Sequence, residues 1–171
     1  VDGEILSTDA IFSLTIKKNV EIEAVFTKIP IDTMVSYELP TGWNWFSINV
    51  KDENLNNPVA LLESIKQSVV SVLGQEEDLV YDDQYGLYGS LTAFKPDRGY
   101  KVRVKEDVDF SLKGIPFAEN EVTITLNKGW NWMGYTPNME MSVNAALCNL
   151  MAEEGDIVMA QDQFATYDGA A

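Results

Sequence analysis

Residues 35–46 read VSYELPTGWNWF and residues 122–133 read VTITLNKGWNWM, so the two stretches align without a gap. The offset is 87 residues, from Gly42 to Gly129, and all four tryptophans of the chain lie in these stretches. Self-similarity at a fixed offset is typical of a duplicated structural unit. The sequence therefore predicts two tandem related units.

Apolar residues alternate with polar ones before each Gly-Trp-Asn-Trp motif. They are Val35, Tyr37 and Leu39 in the first stretch, and Val122, Ile124 and Leu126 in the second. A period of two is typical of a strand with one buried face, and the Pro-Thr-Gly and Asn-Lys-Gly triplets after them are turn sequences. Each unit is predicted to begin as a β-hairpin.

A helix is predicted after each motif. In the first unit Asn57 fits the N-cap, Pro58 fits the first helical position, and Gly74 fits the end. In the second unit Ser142 is the N-cap and Gly155 the end. The apolar faces would be Val59, Leu62, Ile65, Val69 and Leu73 in the first helix, and Val143, Ala146, Leu147, Leu150 and Met151 in the second. We expect each helix to pack on the sheet of its own unit.

Further strands are predicted in the first unit at residues 79–82, 88–91, 99–104 and 108–112. The second unit lacks counterparts of residues 88–91 and 99–104, so we expect it to be incomplete, with an open sheet edge. The first unit, the N-terminal residues or a strand from a neighbouring molecule could cover that edge. Cover by residues 1–29 is favoured, because residues 11–16 and 20–26 alternate as a further hairpin.

Two resemblances to known families rest on these stretches. Residues 2–26 resemble the C-terminal half of internalin-type B repeats, which are small β-rich modules of surface proteins. The Gly-Trp-Asn-Trp units, with QDQFATY at 161–167 and YGSLT at 88–92, resemble a repeat of modular exported proteins of Gram-negative gut-type bacteria. The second resemblance implies a secreted or cell-surface location, and it implies no catalytic residues.

The predicted fold class is α+β and mainly β, with each unit a hairpin plus a helix on a mostly antiparallel sheet. Residues 1–30 would be the strand-rich tail of a preceding β-repeat module. Residues 31–117 would form the first repeat unit and residues 118–171 the second, incomplete one.

The amino-acid composition disfavours several classes of partner and of enzyme mechanism. A net charge of −15 disfavours nucleic acid and anionic membranes, and no apolar run approaches the roughly 20 residues of a membrane helix. The chain has no histidine, which removes the histidine-based nucleophilic triads. A pair of carboxylates about 5 to 9 Å apart could still serve a glycosidase, but chance pairs are common among 27 acids. We therefore expect no enzyme activity and no cofactor.

Two further candidate sites are weighed against plain structural roles. The aspartates at 82–83 and 107–109 lack the spacing of a calcium loop, so no metal site is predicted. Cys148 lies in the apolar run ALCNL, which favours a buried small hydrophobe over a reactive thiol.

The aromatic residues are the candidate ligand contacts. Trp43 and Trp45 share one face of a strand, as do Trp130 and Trp132, and such pairs either fill a core or stack on sugar rings. The core is favoured, so we expect Trp43 and Trp130 to be mostly buried. Asn44 and Asn131 would bond nearby backbone. The candidate ligand-binding residues are Trp43, Trp45, Trp130, Trp132, Tyr85 and Tyr88.

Taken together, these features favour a non-catalytic module of a secreted or cell-surface bacterial protein. It would act in adhesion, in protein interaction or as a structural spacer, with an unknown protein or a glycan as partner. Strand-mediated self-association is a further possibility at an open sheet edge. The alternative is a carbohydrate-binding module that serves an attached exported enzyme.

Overall fold

The computed structural model describes residues 31–118, 121–137 and 139–169. The chain divides into two compact units, Val1–Pro30 and Ile31–Ala171, and all described residues lie in the second. The hairpin and the B-repeat tail predicted for residues 1–30 lie outside the described residues. Below, residues 31–117 are called the first half and residues 121–169 the second half.

The described residues are mainly β, which confirms the coarse fold class. The first half contains β1 (Thr33–Leu39), β2 (Gly42–Ser47), β3 (Val50–Lys51), α1 (Pro58–Leu61), β4 (Val69–Leu73), β5 (Asp78–Asp82), β6 (Gly86–Gly89), β7 (Gly99–Val104) and β8 (Val108–Pro116). The second half contains α2 (Val143–Ala146), β9 (Ile157–Met159) and β10 (Phe164–Thr166).

The strands of the first half form two antiparallel sheets. One has the order β2-β7-β4-β5-β6, and the other has the order β1-β8-β3. β1 pairs with β8 and β2 pairs with β7, so the chain changes sheet between β1 and β2, and again between β7 and β8. The predicted hairpin is therefore wrong. Alternation reports that one face of a strand is buried, but it carries no information about which strand lies beside it.

The core lies between the two sheets and under α1. Phe46 of the five-stranded sheet and Phe110 of the three-stranded sheet meet edge to face, with ring centroids 6.3 Å apart. Leu61 and Leu62 carry α1 onto this core. All buried hydrophobic residues of the described chain lie between Leu39 and Leu112, so the core belongs to the first half.

Both predicted helices begin where expected and end early. The side chain of Asn57 accepts a hydrogen bond from the Ala60 amide at 3.2 Å, and that of Ser142 accepts one from the Ala145 amide at 3.3 Å, which confirms both N-caps. The extension of the first helix over Val69–Leu73 is wrong, because this segment forms β4. Its run of β-branched side chains favours a strand, and β5 and β7 supply partners on both sides.

The second half has little of the predicted structure. Residues 122–126 form no strand, because no described segment pairs with them, and the only sheet among the described residues of this half is the two-stranded β9–β10 ladder. α2 buries no residue, so the predicted packing of a second helix on its sheet is wrong. Cys148 lies just after the short helix and is exposed, which contradicts the prediction of a buried thiol.

Candidate functional site

The two Gly-Trp-Asn-Trp motifs adopt the same turn. Gly42 and Gly129 have φ values of +111° and +104°, a conformation that glycine adopts without strain. The Asn44 amide donates to the carbonyls of Pro40, at 2.8 Å, and Gly42, at 3.3 Å. The Asn131 amide likewise donates to the carbonyl two residues before it, at 3.0 Å, and to the one four residues before it, at 2.7 Å. The expected backbone role of both asparagines is confirmed.

The tryptophans lie outside the core. Along β2, Asn44 and Phe46 point inward, so alternation turns Trp43 and Trp45 outward, where they are 42% and 39% exposed. Trp130 is 62% exposed. The expectation that Trp43 and Trp130 are mostly buried is therefore wrong. Phe46 already occupies the core side of β2, with Phe94, Tyr100 and Phe110 around it.

One row of side chains crosses the outer face of the five-stranded sheet. Directly paired residues of adjacent strands point to the same side of a sheet. The row runs from Trp43 through Arg103, Ser71 and Val80 to Tyr88. Trp43 and Tyr88 thus share the outer face, but they stand four strand spacings apart, which is roughly 19 Å. Tyr85 lies in the turn between β5 and β6 and is exposed.

A lysine joins tryptophans of the two halves. Lys101, the cross-strand partner of Trp45, places its Nζ 4.2 Å from the ring centroid of Trp45 and 4.2 Å from that of Trp132. Two aromatic faces around one ammonium group form a double cation–π contact. The structure therefore brings three of the candidate residues, Trp43, Trp45 and Trp132, to one surface, called the tryptophan surface below.

Each motif is held by a glutamine from the other half. Gln161 accepts from the Trp45 amide at 2.8 Å and donates to the Trp43 carbonyl at 3.1 Å. Gln75 accepts from the Trp132 amide at 2.7 Å and donates to the Trp130 carbonyl at 2.9 Å. β2 is an edge strand, so Gln161 makes the bonds that a neighbouring strand would make. Sequence reasoning missed both glutamines, because their polar surroundings carry no local signal of this contact.

The second motif also bonds to the first residue of β7 and to the loop before it. The Gly99 amide donates to the Trp132 carbonyl at 2.9 Å, and the Gly134 amide donates to the Asp97 carbonyl at 3.1 Å. Gly134 approaches the Pro96 carbonyl so closely that a Cβ at this position would collide with it. These backbone bonds fix the position of Trp132 over Lys101.

The tryptophan surface carries positive charge, whereas the whole chain is strongly negative. Lys101 and Arg103 place two positive charges beside the tryptophans of a protein with net charge −15. Two acids of the first half, Asp107 and Asp82, accept hydrogen bonds within turns. The Asp107 carboxylate accepts hydrogen bonds from the backbone amide and then the hydroxyl of Thr41, which lowers the pKa of Asp107. Asp82 accepts from the amides of Gln84 and Tyr85.

Metal ligands and membrane-spanning helices are two further features that would point to a function. The described residues contain no cluster of three or more acidic, cysteine or histidine side chains suited to a metal ion. No helix in the same residues has the length and apolar character needed to cross a bilayer. No family model, curated protein or solved structure matches this chain. The functional proposal therefore rests on the chemistry of the chain's own surface.

Proposed function

We propose that this chain is a non-catalytic interaction module of a secreted or cell-surface bacterial protein, and that it binds its partner through the tryptophan surface. The single observation that carries the proposal is the contact of Lys101 with the rings of Trp45 and Trp132, beside Trp43 on the same face of β2, with all three rings at least partly open to solvent. Tryptophan and basic residues dominate the binding energy of many protein interfaces. The proposed location rests on the resemblance of the repeats to exported proteins.

The tryptophan surface is held in place before any partner arrives. Asn44 locks the turn that precedes the two tryptophans of β2, and Gln161 bonds their backbone groups. Gln75 holds the second motif in the same way. Rigid aromatic side chains lose little conformational entropy on binding, which favours affinity. A partner that lays an apolar or planar group on the rings therefore meets a surface already in its binding geometry.

Array binding tests the proposal. The fluorescently labelled chain is applied to an array of host extracellular-matrix proteins, bacterial surface proteins and oligosaccharides. We expect at least one ligand class to bind, and we expect the double variant Trp43→Ala/Trp45→Ala to lose that binding. The matched control is Met34→Ala, which removes an exposed apolar side chain from the three-stranded sheet. Equal binding by the double variant would refute the tryptophan surface.

Carbohydrate recognition is the second candidate, and one observation favours it. Trp43 and Trp45 are separated by one residue on a strand, so their rings stand side by side on an exposed face, where the faces of sugar rings can stack on them. Titration with the oligosaccharides that bind on the array decides this case. Saturable quenching of tryptophan fluorescence would favour a carbohydrate-binding module. Binding to a protein on the array, with no quenching in the oligosaccharide titration, would favour a protein partner.

A further inference from the structure

A line of positive charge lies on the outer face of the five-stranded sheet. The run Lys-Val-Arg-Val-Lys begins within β7 and ends one residue beyond it, and both of its valines are 1% exposed. Alternation along the strand therefore turns Lys101, Arg103 and Lys105 to the outer side. Successive members of this line stand two residues apart, which is roughly 7 Å. The line runs beside the tryptophans, because Lys101 pairs with Trp45 and Arg103 pairs with Trp43.

Two members of the line, Arg103 and Lys105, have side chains without a partner among the described residues. Both are exposed, and neither side chain forms an ion pair, a hydrogen bond or a ring contact there. The ion pairs of the described residues use other cations, which are Lys51, Lys66, Arg98 and Lys113. The chain has 27 acids against 12 basic residues, and yet these two adjacent cations keep their donors available to an anionic ligand.

The architecture of the sheet does not explain this line of charge. Lysines on edge strands keep a sheet from pairing with other chains, but β7 lies between β2 and β4 inside its sheet. The acids that follow the line, Glu106 and Asp107, accept hydrogen bonds from the Ser68 hydroxyl and the Thr41 amide, each at 2.8 Å. Neither acid forms an ion pair with a described cation. The charges are therefore available for binding.

Aromatic and small side chains extend this surface across the sheet. From Trp43 and Arg103 the paired row continues through Ser71 and Val80 to Tyr88, and it is called the outer row below. Trp43 is 42% exposed and Tyr88 is 54% exposed. The outer row thus has an open aromatic ring at each end, roughly 19 Å apart, and a free cation beside the first ring. An elongated ligand with apolar ring faces and an anionic group is complementary to it.

We propose that the outer row binds an oligosaccharide that contains a sugar acid, in which the carboxylate is bonded directly to the ring, as in uronic and sialic acids. This inference rests on the proposed interaction function and names the ligand class. Trp43 and Arg103 are paired on adjacent strands, roughly 5 Å apart. A sugar-acid ring stacked on Trp43 projects its carboxylate sideways from the ring edge, towards Arg103. Arginine binds a carboxylate through two parallel hydrogen bonds. Tyr88 stacks a further sugar of the same ligand.

Two other kinds of anion are less complementary to the outer row. Nucleic acid carries a charge on every phosphate, and the net charge of −15 opposes so dense a polyanion. An acidic peptide that adds as a strand needs the free edge of β2, where Gln161 already bonds to the Trp45 amide and the Trp43 carbonyl. A carboxylate on a sugar ring matches a few free cations beside a tryptophan, and it needs no strand edge.

Calorimetric titration of the full chain tests the ligand class. The ligands are short oligosaccharides of galacturonic, glucuronic and mannuronic acid, and sialyllactose. The matched ligand is the methyl ester of each, which keeps the ring and removes the charge. We expect saturable binding of at least one sugar acid, and we expect its ester to bind at least about tenfold more weakly. Binding of only uronic acids or only sialyllactose would support the proposal and identify the source of the carboxylate. Equal binding of acid and ester, or no binding of any sugar acid, would overturn it.

Charge variants locate the site. Arg103→Gln changes an exposed side chain, so the variant should fold, and the sugar acid should bind it at least about tenfold more weakly. Arg103→Lys keeps the charge without the paired hydrogen bonds, so its affinity should lie between those of the wild-type chain and Arg103→Gln. Lys113→Gln makes the same change in net charge on the three-stranded sheet, and it should bind as the wild-type chain does. Equal binding by Arg103→Gln and Lys113→Gln would contradict the proposed site.

The remaining outcomes identify another ligand or separate the two proposals. A polyglutamate peptide that binds through Arg103, with no binding of a sugar acid, would assign the outer row to an acidic protein and overturn the proposal. Array binding that requires Trp43 and Trp45 but not Arg103 refutes the sugar acid alone and leaves the tryptophan surface in place. Unchanged array binding by the Trp43→Ala/Trp45→Ala variant refutes the tryptophan surface itself.

Discussion

The first and second halves share a turn and differ in almost everything around it. Asn44 and Asn131 close that turn with the same pair of hydrogen bonds. Yet Phe46 is 8% exposed in a core between two sheets, whereas Met133, at the equivalent position, has no such core around it. The turn depends on neighbours within four residues, and the core depends on β7 and β8, which lie far along the chain. A local motif thus fixes a turn without fixing the burial of the residues after it.

The largest expected difference between the halves is in core stability. Phe46→Ala should lower the free energy of unfolding by about 3 to 5 kcal/mol, because it removes the ring that Tyr37, Phe94, Tyr100 and Phe110 contact. Met133→Ala should cost less than about 1 kcal/mol, because this side chain lies outside the buried core. Urea unfolding measures both values. Similar losses for the two variants would contradict the contrast.

The next effect concerns alkaline pH. Burial raises the pKa of Tyr37 to about 12, and its hydroxyl donates to the Ser47 carbonyl and the Asn49 side chain. The folded state therefore keeps a proton that the unfolded state loses near pH 10. The free energy of unfolding is consequently highest below pH 10 and falls as the pH rises towards 12. This fall in the free energy of unfolding should be on the order of 2 kcal/mol.

The Tyr37→Phe variant measures that contribution. It lacks the two hydrogen bonds, so its urea midpoint should lie below that of the wild-type chain at pH 8, with a gap that shrinks as the pH rises from about 10 to about 12. Tyr85→Phe changes an exposed ring and serves as the control. A constant difference between the two urea midpoints across this pH range would show that Tyr37 does not cause the loss of stability at alkaline pH.

A smaller difference is expected between the two turn asparagines. Asn44→Ala should cost about 1 to 2 kcal/mol, because Asn44 is buried and its loss leaves the Pro40 and Gly42 carbonyls without their donor. Asn131→Ala should cost about 0.5 kcal/mol or less, since water can replace its amide at this more open position. Thermal unfolding of the two variants beside the wild-type chain measures the difference. A larger loss of stability in Asn131→Ala than in Asn44→Ala would contradict the expected difference between the two asparagines.

The smallest effect is expected at the contact between the halves. Lys101→Met removes the ammonium group between Trp45 and Trp132 and should cost about 0.5 to 1 kcal/mol. Lys66→Met removes an exposed lysine that pairs with Glu63, and it is the control. Tryptophan emission should change in the first variant and stay constant in the second. Unchanged emission in Lys101→Met would show that the two tryptophans do not share this lysine.

The sequence predicted the local features of the fold better than the distant ones. The N-caps at Asn57 and Ser142 and the strand at residues 99–104 are as expected, because caps and alternation depend on adjacent residues. The hairpin was wrong, because the partners of β1 and β2 are β8 and β7. The helix over Val69–Leu73 was wrong, because an apolar stripe of helical period also fits a buried strand with bulged pairing.

In the candidate site, too, the sequence predicted local features but not contacts between distant residues. The pattern showed that Trp43 and Trp45 share a face and that Asn44 takes the other, but burial depended on which face met the second sheet. Gln75 and Gln161 reach residues 57 and 118 positions away, and Lys101 acts across paired strands and between the halves. Such contacts leave no periodic trace in a single sequence. The sequence therefore predicted which tryptophans could bind a ligand, but it did not predict that Lys101 contacts both Trp45 and Trp132.

The contrast between the halves is tested most directly by hydrogen–deuterium exchange of the free, full-length chain. The amides of Val72 and Val102 lie in central strands of the larger sheet and in its core. We predict that they exchange at least about a hundredfold more slowly than the amides of residues 122–131, which precede the bridge between Met133 and Arg98 and belong to no strand among the described residues. Protection of residues 122–131 equal to that of residues 42–47 would contradict the account, because it would mean that both motifs lie in completed sheets.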